Sequence, residues 1–180
     1  GACYEGTQCA GTVLSGYYPA GTHSRLVSAP FTLEADAGEE IQLRFQHWFS
    51  YASGDSGEVQ IQELLQDGTW GEWTSVSDPF EPATGGSPVW SRAAVDLTAY
   101  QGATVRLGFW HVADLSYLSF GWYIDDLEIW VGVPQFTGDF EAGWVDWSAS
   151  HGVWEIGTPS SGLGACYEGT QCAGTVLSGY

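Results

Sequence analysis

Two kinds of side chain in this 180-residue sequence are spaced for chemistry: cysteines six positions apart and clustered carboxylates. Cys3 and Cys9 enclose five residues, and the same spacing recurs at Cys166 and Cys172. That spacing, with no histidine partner close by, is poor for tetrahedral zinc. It suits a disulfide closing a short loop in an oxidising compartment, as Cys3–Cys9 and Cys166–Cys172 or as bridges between neighbouring units. The acids outnumber the bases by 22 to 4, a formal charge of −18. Asp125 and Asp126 lie in a strand-like run where Asp125 alternates in phase with Leu127 and Ile129, so at least one of the pair is expected to point inward. A buried carboxylate is costly unless paired or metal-bound, and calcium favours carboxylate and carbonyl oxygens. The alternatives are an Asp–Arg pair or a carboxylate capping backbone amides. Glu5, its copy Glu168, Asp55, Asp78 and Glu81 are weaker ligand candidates, with solvated loop carboxylates as the alternative.

Catalytic groupings are poorly represented. Gly54-Asp55-Ser56-Gly57 resembles the nucleophile segment of chymotrypsin-like serine proteases. That chemistry needs a positioned histidine base and a buried aspartate, and none of His23, His47, His111 and His151 stands in the matching motif. Neither H-E-x-x-H nor a phosphate-binding loop is present, so no enzyme is expected. Among ten tryptophans, Trp70, Trp73 and Trp90 are candidates for stacking on sugar rings. The competing reading places the tryptophans in a core or in contacts between units.

The elements that must position these groups read as strands. Ile41, Leu43, Phe45, His47 and Phe49 share one phase of a period-two run. Residues 59–62, 104–109 and 122–131 continue the pattern, and Asp67-Gly68 and Gly85-Gly86-Ser87-Pro88 punctuate it. No amphipathic helical period is sustained. The fold class expected is all-β, a two-sheet antiparallel jelly-roll sandwich in a tandem array. The charge excludes nucleic-acid binding, and no apolar run is long enough for direct membrane insertion. Lysine, asparagine and methionine are absent.

Residues 1–17 return letter for letter as residues 164–180, an offset of 163. A period of that length suits a complete domain rather than a solenoid turn. A Gly-Val-Pro-Gln break sets the expected organisation: 18–133 as the main part of one unit, 134–135 as linker, and 136–180 as the first part of the next. Residues 1–17 are then the duplicate of that first part's end, and the chain reads as a circularly shifted unit.

Read from residue 136, several landmarks follow in order: Asp139-Phe140-Glu141 with Trp144, the Trp154–Pro159 segment, and Tyr167-Glu-Gly with Gly174–Tyr180. Leu26–Pro30, Val95–Gly102 and Gly121–Asp126 complete the set. In this order the chain resembles the MAM-like jelly-roll modules of secreted bacterial proteins, found on surface proteins and beside metallopeptidases of the immune inhibitor A type. The cysteine pair departs from that pattern. The resemblance implies a calcium site built from Asp125, Asp126, Asp139 and Glu141. The function expected is an extracellular or cell-surface structural repeat, a fibre or adhesin stalk stiffened by Ca2+ and disulfides, acting in adhesion or a biofilm matrix. Its partners would be identical neighbouring units. The alternatives are a multivalent carbohydrate-binding module, with extracellular polysaccharide as partner, and a non-catalytic accessory domain of a secreted peptidase.

Overall fold

The computed structural model describes residues 3–82, 89–133, 140–144, 147–150, 153–162, 164–167 and 169–178. The expected linker, 134–135, lies outside them. The chain divides into two compact units, Gly1–Val133 and Pro134–Tyr180. Apart from one 3-10 turn at Thr98–Tyr100, the regular structure among the described residues is β.

Period-two alternation builds the first unit. Strand β4 (Glu40–Ser50) buries every second residue, from Ile41 through Leu43, Phe45 and His47 to Phe49. It lies between β7 (Ser91–Asp96) and β9 (Gly121–Gly132), and the outer edge of β9 carries β1 (Ala10–Gly11). The second sheet runs β2 (His23–Val27), β8 (Thr104–Val112), β5 (Ser56–Glu63) and β6 (Thr74–Ser75), with β3 (Phe31–Thr32) also on β8. All pairings are antiparallel. The facing sheets form the antiparallel jelly-roll sandwich that the alternation predicts. Their inner faces meet in one core, where Phe45, Phe109 and Trp122 interlock edge-on or tilted with centroids 5.3–6.4 Å apart. Burial of each such aromatic contributes about 1.5–3 kcal/mol relative to exposure.

One irregularity decides where a key side chain points. The β4–β9 register slips between Arg44 and Gln46, which oppose Glu128 and Asp125, and Asp126 takes a φ of 47°. This extra residue in β9 reverses the facing of its two halves. Trp122 and Ile124 point into the core before the bulge, whereas Leu127 and Ile129 follow in the opposite phase. Asp125 therefore does not share the inward face expected from Leu127 and Ile129, but turns to the outer side.

The core also holds a polar plug. Asp55, 1% exposed, accepts hydrogen bonds from Tyr18 Oη at 2.5 Å and from the Asp114 amide at 2.7 Å. Tyr18 Oη in turn accepts from the Ala52 amide at 2.9 Å. Burial and the Asp55 carboxylate push the Tyr18 phenol up to about 12. This network ties the chain before β2 to the turn before β5, so the aspartate of Gly54-Asp55-Ser56-Gly57 is a structural joint.

In the second unit, β10 (Glu155–Gly157) pairs antiparallel with β11 (Cys172–Gly174). Leu177 folds back over this hairpin: its amide donates to Glu155 Oε2 and its carbonyl accepts from the Ser160 amide.

Candidate functional site

The two cysteine loops close as disulfides within each copy, Cys3–Cys9 and Cys166–Cys172, with Cα atoms 5.5 and 5.6 Å apart. Each contains a glycine in the left-handed region, Gly6 at φ 63° and Gly169 at φ 68°. A side chain there is strained whatever the space around it. The amides of a loop this tight point outward, to water or to a nearby acceptor.

The acceptors found are two of the carboxylates expected to bind calcium. In the first unit, Asp125 Oδ2 accepts from the Tyr4 and Glu5 amides at 3.1 and 3.3 Å. The bulge makes this possible by turning Asp125 outward, and Asp125 Oδ1 takes the Asp126 amide at 3.0 Å. In the second unit, Glu141 Oε1 accepts from the Thr170 and Gln171 amides, both at 2.7 Å. Its Oε2 takes the Thr170 hydroxyl at 2.9 Å, and its carbonyl takes the Gln171 side-chain amide. These donors, the Gln171 amide foremost, hold the Glu141 carboxyl below the usual glutamate range. Gly169 sits so close to the Glu141 carboxylate that a Cβ would collide with it.

Neither carboxylate therefore presents a bare oxygen pair. Calcium draws on carboxylates, carbonyls and waters together, and among the described residues no three carboxylates come within ligating reach of one another. Asp126 is exposed on the bulge, while Asp139 and Glu168 lie outside the described residues. Glu5 is exposed and gives only its amide to Asp125. Asp78 is exposed, Glu81 half-buried, and Asp55 is committed to Tyr18. Cys3, Cys9 and Asp125 cluster within 4.8 Å, but sulfurs tied in a disulfide are not thiolate ligands.

The arginines are used in a way the sequence did not signal. Arg25 lies over Trp73 and Trp110 at 4.4 and 4.2 Å, and Arg106 over Trp70 at 4.4 Å. Gln60 and Gln62 accept from the Arg25 and Arg106 Nε atoms at 2.8 and 2.7 Å. Gly108 leaves the space, since a Cβ there would meet Arg25 Cδ at 2.6 Å and Trp73 at 2.7 Å. Arg44 covers Trp130 at 4.0 Å, and Arg92 pairs with Glu128. Trp70 and Trp73, expected to stack on sugars, thus each have a guanidinium group over the ring, and Trp90 packs against Tyr4 at 6.1 Å.

Fold and site together define an all-β jelly-roll domain whose surface loop is pinned by a disulfide and a carboxylate. No protein-family model matches the chain. Over 110 residues it is 34% identical to the pre-pro-metalloprotease PrtV of Vibrio cholerae serotype O1, in strains M66-2 and El Tor Inaba N16961. The match covers 57% of this chain and 11% of each relative, so the chain spans about a tenth of the curated relatives it matches. Among solved structures, infectious bursal disease virus (Gx strain) is similar at a TM-score of 0.43 and 14% identity, over 64% of this chain and 28% of that one. The CBM22-1 xylan-binding domain of Paenibacillus barcinonensis Xyn10C gives 0.37 and 11%, over 67% and 88%. Likenesses at these TM-scores carry no ligand or partner over to this chain.

Proposed function

We propose that this chain is part of an extracellular, non-catalytic structural repeat, a MAM-like module that serves as a spacer in a fibre or adhesin stalk at a cell surface or in a biofilm matrix. The observation that carries the reading is the 17-residue segment. It recurs without a single substitution at an offset of 163, and both copies close the same disulfide loop around a left-handed glycine. Identical units give identical contacts, which a regular array requires, and disulfides suit an oxidising exterior. The test is an array extended by further 163-residue repeats, imaged by negative-stain electron microscopy. Straight rods of uniform spacing are expected; a flexible string of independent beads would count against a stiff spacer.

Calcium belongs to the proposal through the charge of −18 and the exposed Asp126. Melting raised by added Ca2+ and lowered by EDTA would support it, and a Tm indifferent to both removes calcium from the reading. A second reading draws on the similarity to PrtV: a non-catalytic accessory module of a peptidase-bearing parent. A third takes the chain as a multivalent carbohydrate-binding module with extracellular polysaccharide as its ligand. It predicts tryptophan fluorescence changes when soluble polysaccharides displace Arg25 or Arg106 from the indoles.

A further inference from the structure

The described residues of the repeated segment are held in two settings, and each setting satisfies a different part of them. In the first unit, Ala10 and Gly11 pair with Ile124 and Tyr123 of β9. In the second, the equivalent Ala173 and Gly174 pair with Ile156 and Glu155 of β10. Thr12 donates to the Trp122 carbonyl at 3.0 Å. By the alternation of an antiparallel ladder, Gly11 then turns its own N–H and C=O to the opposite edge. That edge is the outer one of an end strand. A cleft between the sheets opens beside it, lined by Gly11, Thr12, Arg25, Leu26, Phe109 and Trp122.

Side chains divide in the same way. Leu14 is 73% exposed, whereas its equivalent Leu177 is 8% exposed under the β10 hairpin. Tyr4 packs on Trp90, whereas its equivalent Tyr167 is 95% exposed. Val13 packs against the sandwich core, whereas its equivalent Val176 is 43% exposed. The loop amides divide too: Asp125 takes those of Tyr4 and Glu5, and Glu141 takes those of Thr170 and Gln171, the equivalents of Thr7 and Gln8. No donor is claimed twice.

We propose that the seat of residues 3–14 on β9 is a docking surface for a second copy of this chain, which inserts its residues 164–177 in place of the resident segment. The incoming segment repeats every contact of the resident one, because the residues are identical. It also brings its own β10, Glu141 and buried Leu177, so the strand becomes central, flanked by β9 and β10. The contact is heterologous and head-to-tail, and each chain has one seat and one inserting segment, so it repeats from chain to chain as a ring or an open filament. In a continuous array the same exchange is made by the adjoining repeat. This inference rests on the repeat reading above.

The test uses matched substitutions in the full 180-residue chain, followed by sedimentation velocity. Val13→Asp loosens the resident segment only and should tighten chain–chain association about tenfold. Val176→Asp harms only the inserting copy, at a position exposed in its own unit, and should leave the chain monomeric. If Val13→Asp fails to fold, Val176→Asp against the unaltered chain decides the matter alone. Equal association of those two overturns the proposal. So does a unaltered chain that stays monomeric up to about 100 µM after thermal annealing. Either result leaves the repeat reading standing as long as the extended array forms rods.

Discussion

His47 stands on the inward face of β4, with the rings of Phe45, Phe49 and Phe80 at 5.4, 5.4 and 4.7 Å. Its Nδ1 has no partner among the described residues, and burial lowers its pKa from 6.5 to about 4. His111 shifts the same way for the same first cause, opposed by the Asp55 carboxylate. In both cases the folded chain holds a neutral imidazole that the unfolded chain would protonate. Stability is accordingly intact above pH 6.5 and is lost as pH falls towards 4. The His47 contribution is on the order of 3 kcal/mol. His47→Leu keeps an apolar group in the same pocket and removes the titration. Its melting temperature should fall less between pH 6.5 and pH 4 than that of the parent chain; an unchanged slope would assign the acid sensitivity elsewhere.

At the scale of elements, the bulge in β9 governs the cysteine loop. Asp125→Ala removes the acceptor of the Tyr4 and Glu5 amides without touching the core face. Hydrogen exchange at those two amides should accelerate about tenfold, while amides of β4 keep their protection. Equal acceleration in β4 would mean that the aspartate supports the sheet itself. The alternation that makes β4 a strand was plain from Ile41 to Phe49, because a half-buried strand writes its burial directly into every second residue. The bulge was not legible. It depends on how β9 meets β4, and simple alternation placed Asp125 with Leu127 and Ile129. Amide capping stood among the readings open for that carboxylate, but the choice needed the position of a loop 120 residues away. The guanidinium–indole stacks were hidden for the same reason: Arg25, Trp73 and Trp110 meet only once two strands and a loop have come together.

For the whole molecule, charge is the dominant condition. A formal −18 on 180 residues resists compaction, and only Arg92 forms an ion pair among the described residues. Raising sodium chloride from ~0.01 M to ~0.1 M shortens the screening length from about 30 Å to about 10 Å. The Tm should rise by on the order of 3 °C; a fall would mean that attractive pairs outweigh the net repulsion.

The arrangement of the four arginines reaches beyond stability. Arg25, Arg44 and Arg106 lie over indole rings, Arg92 is engaged by Glu128, and the chain has no lysine. A trypsin-like protease must pull a basic side chain into its specificity pocket before it can cut. Here every such handle is already gripped: Arg44 and Arg106 lie in strands flanked on both sides, whereas Arg25 and Arg92 lie in end strands, Arg25 held by its indoles and Arg92 by its salt link. The four arginines of the folded chain are therefore expected to be poor cleavage sites for such an enzyme.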